Sequence, residues 1–257
     1  MTSSTLSGGL KNVSGRRNEF ARERRDFRVG YSSRMSDKSS RVERPKSLAA
    51  ILPASPHRSL RGWSGFVKRG LDIALAAGGL IVLSPLLVLI GAVIKLSDGG
   101  VVLYRQVRVG LNGRQFNIIK FRTMNEDAEG QLGAIWSPPN DPRCTRIGNY
   151  LRRCGLDELP QLWNVLRGDM SLVGPRPERP EFTSEFGKEH AHYDVRHTVR
   201  SGITGYAQVH GWRGYTSVEE RLRHDLYYVR NWSIWLDVKI LALTVIHGWS
   251  ERTRNGV

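Results

Sequence analysis

Two adjacent carboxylates, Asp157 and Glu158, stand in the run Gly155-Leu-Asp-Glu-Leu-Pro-Gln161, a short way ahead of Gly174-Pro-Arg-Pro177. A carboxylate can attack phosphorus directly, and a neighbouring carboxylate can hold the divalent cation that offsets the charge of the phosphates. One residue cannot easily do both. The prolines on either side of Arg176 restrict the backbone there, and a preset guanidinium suits bidentate binding of phosphate. A proline corner that merely turns the chain, with an exposed arginine, would be spelled the same way. Asp157 also reads two ways. Pro160 fits only the first turn of a helix, so a helix is expected to begin near Asp157 and to stop at Gly168, and aspartate is a common N-cap. Both readings share physics, because the helix dipole keeps such an aspartate ionised and also attracts phosphates.

The elements that must position these groups are spelled nearby. Residues 101–106 and 116–121 read as strands joined by a turn containing Leu111-Asn-Gly-Arg114, the usual hairpin punctuation. Lys120-Phe-Arg-Thr-Met124 leaves the second strand, so Lys120 and Arg122 would project from one side and could meet two phosphates. Cations that guard a solvated edge strand would look alike. Residues 125–145 read as loop around a short helix, with Ser137-Pro-Pro-Asn140 as a breaker. A helix is expected over 146–153, a strand over 203–209, and helices over 218–229 and 232–249. Aromatic residues at Tyr227, Tyr228, Trp232, Trp235 and Trp249 suit an interfacial depth or, alternatively, ordinary core packing. His190, His192 and His197 share no helix face and are read as surface residues. Cys144 and Cys154 lack a second pair for zinc and are read as free thiols of a reducing compartment.

Residues 73–94 carry no charge, a length that fits a transmembrane helix. Ser84-Pro85 falls at the middle, and basic residues flank both ends: Arg61, Lys68 and Arg69 before, Lys95, Arg105 and Arg108 after. A single crossing cannot satisfy the positive-inside preference on both sides. A re-entrant hairpin does, with Pro85 removing a donor and Ser84 bonding the freed carbonyl. The chain of 257 residues has a formal charge of +15, yet its first 70 residues hold +11 of it and the rest only +4. That distribution argues against nucleic acid as the partner. A Ser/Arg-rich leader is expected to be disordered and to lie on anionic lipid. Its first 30 residues lack the pattern of a secretory signal, so the chemistry is expected in the cytoplasm. A basic membrane adaptor or nucleic-acid-binding protein is the rival reading from composition.

Taken in order, Lys68-Arg69 with Asp72, Ser84-Pro85, Lys120-Phe-Arg-Thr-Met124, Leu156-Asp-Glu-Leu-Pro-Gln-Leu-Trp-Asn-Val165, Gly174-Pro-Arg-Pro177, Gly202-Ile-Thr-Gly205, Asp225-Leu-Tyr-Tyr228 and Trp232-Ser233 with Asp237 resemble the bacterial sugar transferases. These are monotopic polyprenyl-phosphate hexose-phosphate transferases that initiate exopolysaccharide and related glycan assembly. The resemblance covers about residues 64 to 249. It implies that Asp157 is the nucleophile and that Glu158 is tied to Mg2+. It further implies a UDP-hexose donor, an aspartyl phosphosugar intermediate, and polyprenyl (undecaprenyl) phosphate as acceptor. Lys120, Arg176 and Arg196 match basic positions expected near the donor phosphates, and Arg122 and Gln208 are added to that site. Gly211-Trp-Arg-Gly214 resembles versions that handle glucose or galactose phosphate. Two positions depart from the pattern: Gly155 stands where serine is common, and Ser201 replaces the usual proline.

The expected fold is therefore α+β, a compact monotopic membrane enzyme with a Ser-Pro-kinked re-entrant helix, a β-hairpin and several amphipathic helices, lacking the larger membrane-spanning and sensory regions of longer relatives. Its expected parts are a basic leader (1–60), a re-entrant region (61–99), a cytoplasmic catalytic domain (100–250) and a tail (251–257). The expected location is the cytoplasmic face of the bacterial inner membrane, in contact with lipid.

Overall fold

The computed structural model describes residues 62–126, 128, 141–214 and 216–254. The leader, the last three residues of the tail and the Ser137-to-Asn140 breaker lie outside the described residues. Among those described, the fold is mixed α+β.

The uncharged stretch forms one helix, α1 (Trp63–Asp98). Gly99 ends it in the left-handed conformation, its N–H donating to the Lys95 carbonyl. Pro85 sits inside α1 and cannot donate to the Ile81 carbonyl; the Ser84 hydroxyl donates to that same oxygen at 2.8 Å. The sequence expectation for this pair is met at the level of the hydrogen bond. At about 1.5 Å per residue such a helix exceeds the roughly 30 Å of a bilayer's hydrocarbon layer. Ala76, Ile90 and Ile94 are buried against the rest of the fold, whereas Phe66, Ile81, Val82, Val88 and Leu96 are exposed.

Strand β1 (Leu103–Val109) pairs antiparallel with β2 (Gln115–Phe121), Leu103 opposite Phe121 and Val109 opposite Gln115. A 3-10 turn, Leu111–Gly113, closes the hairpin, with Asn112 at φ 54; asparagine tolerates that left-handed position better than other side chains. Helices α2 (Arg146–Cys154) and α3 (Gln161–Arg167) follow. Gly168 stops α3 as its spelling indicates. Gly155, the departure from the family pattern, takes φ 67 and closes α2, its N–H meeting the carbonyls of Leu151 and Arg152. A serine there would be strained.

Strand β3 (Ser171–Val173) pairs in parallel with β4 (Gly202–Thr204), and between them lie α4 (Pro180–Glu189) and a 3-10 turn, Tyr193–Thr198. The expected strand over 203–209 is thus only three residues long and starts at Gly202; Tyr206–Val209 instead forms a short helix, α5. Helices α6 (Val218–Asn231) and α7 (Ile234–Arg254) complete the order. Ser217 caps α6, accepting from the Glu220 N–H. Of the aromatic group, Tyr228 and Trp232 belong to a core with Val173, Val199 and Ile240, while Tyr227 and Trp235 are exposed. The core-packing alternative thus holds for Tyr228 and Trp232. The Trp249 side chain lies outside the described residues.

The foot of α1 is joined to the elements around the carboxylates. Lys68 donates to Asp237 at 2.6 Å, and Asp237 also accepts from the Tyr228 hydroxyl and the Trp232 indole. Asp72 accepts from the Leu172 N–H and the Ser171 hydroxyl, both at 3.1 Å. Arg69 donates to the carbonyls of Val165 and Leu166 at 2.7 and 2.9 Å, which satisfies the C-terminal end of α3.

Candidate active site

Asp157 does not cap a helix. It lies within a 3-10 turn, Leu156–Glu158, that is entered from Gly155 and has no side-chain cap, and α3 begins only at Gln161. Pro160 stands just ahead of α3, at its N-cap, instead of inside its first turn. The N-cap reading fails because Gly155 already closes α2, so the chain turns tightly instead of opening a new helix at Asp157.

The two carboxylates have opposite environments. Glu158 is gripped by the Arg176 guanidinium, Nη1 donating to Oε2 at 3.1 Å and Nη2 to Oε1, and by Lys120, whose Nζ reaches Oε1 at 3.3 Å. Burial alone would raise the Glu158 pKa, but Arg176 and Lys120 outweigh it and hold the group well below the usual carboxylate range. Asp157 is 7% exposed, and among the described residues its carboxylate has no hydrogen bond or ion pair. Burial, and then the charge of Glu158, push its pKa up against the opposing pull of Lys120, Arg152 and Arg176. Burial likewise lowers the Lys120 pKa, while Glu158 raises it.

The cations are placed by backbone and by buried pairs. Lys120 is carried by β2. Asn164 of α3 fixes that strand to the turn, accepting from the Ile119 N–H at 3.0 Å and donating to the Asn117 carbonyl at 2.8 Å. Arg176 follows Gly174, where any Cβ would lie 2.2 Å from the Arg200 carbonyl oxygen; only glycine lets β3 run so close to β4. Arg196, 1% exposed, donates twice to Asp225 (3.0 and 2.7 Å) and once to the Arg176 carbonyl at 2.8 Å. It holds the backbone of Arg176. Arg122 stands just past the end of β2, so it is not on the strand with Lys120. It is buried and pairs with Glu126 at 3.0 Å. Gln208 donates to the Ile203 carbonyl at 3.2 Å. The structure thus gathers Asp157, Glu158, Lys120 and Arg176, with Arg196 behind them, while Arg122 contacts Glu126 and Gln208 contacts Ile203.

Sequence reasoning missed several supports. Arg152, near enough to stabilise an ionised Asp157, closes α2 and donates to the Thr123 hydroxyl at 2.8 Å. Glu178 is buried among Arg108, Arg176, Arg196 and Arg221, and the Arg221 pair closes at 2.6 Å. No spacing rule connects residues so far apart, although Asp225 and Asn164 lay within motifs already marked.

His197 is not a surface residue: it is 5% exposed in the 3-10 turn beside Arg196 and packs edge-on against Tyr193. Burial, and then Arg196, lower its pKa from 6.5 to about 4. The folded state therefore favours neutral His197. Its stabilising effect is complete above pH 6.5 and is lost as pH falls toward 4, at most about 3 kcal/mol. A His197→Phe variant is expected to show a flatter fall in urea midpoint between pH 7 and pH 4 than the parent. Parallel slopes would refute the assignment.

Residues 63–251 match the model of the bacterial sugar transferase family, and the chain belongs to that family. It is 44% identical over 197 residues to the UDP-glucose:undecaprenyl-phosphate glucose-1-phosphate transferase of Escherichia coli, covering 75% of this chain and 42% of that protein. It is 46% identical over 197 residues to the undecaprenyl-phosphate glucose phosphotransferase of Komagataeibacter xylinus, covering 73% and 37%. The exopolysaccharide production protein PSS of Rhizobium leguminosarum is 42% identical over 195 residues, covering 73% of this chain and 96% of that one. The chain thus spans less than half the length of the first two relatives and nearly all of the third.

Proposed function

We propose that this protein transfers a hexose 1-phosphate from a UDP-hexose to polyprenyl (undecaprenyl) phosphate, opening exopolysaccharide or related glycan synthesis at the cytoplasmic face of the bacterial inner membrane. The observation that carries the proposal is the contrast within one turn: Asp157 buried and unpartnered among the described residues, Glu158 clamped by two cations. An unpartnered carboxylate oxygen is available for attack, and a clamped one is not. Asp157 attacks the phosphorus that bears the sugar. The bond to the bridging oxygen breaks, UMP leaves with the electron pair, and the hexose phosphate stays on Asp157 as an acyl phosphate. An oxygen of polyprenyl phosphate then attacks the same phosphorus and returns the Asp157 carboxylate. Lys120 and Arg176 neutralise the donor's diphosphate by turning from Glu158 to its oxygens.

Mg2+ keeps several waters and takes one or two carboxylates along with substrate phosphates. The described residues contain no group of three His, Cys, Asp or Glu able to hold a metal; in this proposal Glu158 and the donor's phosphates together would hold the Mg2+. There it would offset diphosphate charge. The proposal is supported by the names of the relatives, which act on UDP-sugars and undecaprenyl phosphate. A donor panel of UDP-glucose, UDP-galactose and UDP-N-acetylgalactosamine, supplied with polyprenyl phosphate, tests it. One hexose should give monophosphate and a lipid-linked sugar phosphate together; release of neither product with any donor rejects it.

The membrane reading is supported by α1, whose exposed apolar surface calls for lipid, and by Ser84-Pro85, where the backbone hydrogen bond to Ile81 is missing and the Ser84 hydroxyl takes its place. We expect α1 to enter and leave the same leaflet. Single cysteines placed before Trp63 and after Gly99, in a Cys144→Ser, Cys154→Ser background, should label from one side of sealed vesicles. Labelling from opposite sides would establish a crossing instead.

A further inference from the structure

Gln161 opens α3 four residues after Asp157. It is 1% exposed, and its Nε2 is buried with no hydrogen-bond partner. A neutral amide so placed is unusual, because a buried donor without a partner loses its water and gains nothing. Asn164, one turn further on and fully buried, uses its amide completely, accepting from Ile119 and donating to Asn117 and Asp169. The neighbourhood can satisfy an amide, and at Gln161 it does not.

The path from Asp157 to Gln161 is helical throughout: a 3-10 turn to Glu158, then Leu159 at φ −55, ψ −37 and Pro160 at φ −61, ψ −16, then α3. Residues four apart on such a path share a face. Asp157, whose carboxylate has no donor among the described residues, and Gln161, a buried donor without an acceptor, therefore lie on one face of that path. They make no hydrogen bond to each other. A group that completes both must present an electrophilic centre to the carboxylate and an oxygen to the amide. A phosphoryl group does both at once.

We infer that the Gln161 amide donates a hydrogen bond to a non-bridging oxygen of the phosphoryl group that Asp157 attacks, and keeps it in the aspartyl phosphosugar. This inference rests on the proposed nucleophilic role of Asp157. No proton moves in the contact: the amide orients the phosphorus toward Asp157 and stabilises the oxygen charge in the transition state. Lys120 and Arg176 supply charge, and Gln161 supplies a fixed direction.

Gln161→Met keeps the length and packing of the side chain and removes its donor. In the full-length, membrane-reconstituted protein with the preferred UDP-hexose, kcat for monophosphate release should fall about a hundredfold, as for loss of one oxyanion donor. KM for the donor should stay within about threefold, and the melting temperature should hold or rise, since no internal hydrogen bond is lost. Gln161→Glu, which sets a carboxylate against the phosphoryl oxygen, should lose more activity than Gln161→Met. Asp157→Asn is assayed in parallel. If it is inactive while Gln161→Met keeps kcat within threefold, Gln161 is only packing, and this inference alone fails. If both Gln161 variants melt about 10 °C or more below the parent, the amide is structural, and the inference fails again. Activity in Asp157→Asn overturns the proposed function and this inference with it.

Discussion

Asp157→Asn is expected to lower monophosphate release from the UDP-hexose at least ten-thousandfold, in line with removal of a nucleophile elsewhere, while the protein melts no lower than its parent. The two halves of this result have one cause. The carboxylate is buried, has no hydrogen bond among the described residues, and stands against Glu158, so burial and repulsion both oppose its charge. The amide has nearly the same shape and carries no charge, so the fold loses nothing and one repulsive contact disappears. Most inactive variants are also less stable; this one should be inactive and sound. The same environment sets the pH dependence. Because the Asp157 pKa is raised, the rate of the parent should fall on acidification at a pH above the ordinary carboxylate range, through loss of the nucleophilic form. Monophosphate release and thermal melting, followed on the same reconstituted preparations, check both halves. Undiminished turnover would remove Asp157 from the chemistry.

The second large effect falls behind the site. Asp225→Ala leaves Arg196 buried at 1% exposure without its carboxylate, a change that costs about 3–5 kcal/mol in comparable cases. For a protein of this size the melting temperature should drop by on the order of 10 °C. Burial raises the Asp225 pKa even though Arg196 opposes the shift, and the damage in Asp225→Ala comes from leaving half of a buried pair. The double variant Arg196→Met, Asp225→Leu should therefore recover most of the lost melting temperature. It should not recover activity, because the Arg176 carbonyl no longer has its donor and the arginine loop is free to drift. Recovery of turnover together with stability would show that Arg196 merely fills space.

Local features were legible in the sequence. The hairpin, the Gly168 stop, the long apolar helix and the Ser84 bond across Pro85 each depend on residues a few positions apart, and short-range rules read them well. What escaped was non-local. The parallel pairing of Ser171–Val173 with Gly202–Thr204 involves three residues on each side, too few for alternation to register, and its evidence lies in the glycines that permit close approach. His197 shares no helix face with its neighbouring histidines and so looked superficial; it is buried because the 3-10 turn packs it beside Tyr193 and Arg196. Asp157 was placed at a helix start because Pro160 suggested one, yet the left-handed Gly155 spends that position on ending α2. The carboxylate pair itself was plain from adjacency. Its asymmetry was not, since Lys120 and Arg176 reach Glu158 from 38 and 18 residues away.

Glu158 acts as a resident counter-ion. With Lys120 and Arg176 already facing it, the resting pocket offers little net attraction to chloride, carboxylates or stray orthophosphate, any of which would have to displace a bidentate partner to enter. A diphosphate brings enough charge, spread over two phosphorus centres, to compete for both cations at once. Under the proposed function the site would thereby rank anions by valence and reach before the sugar is inspected.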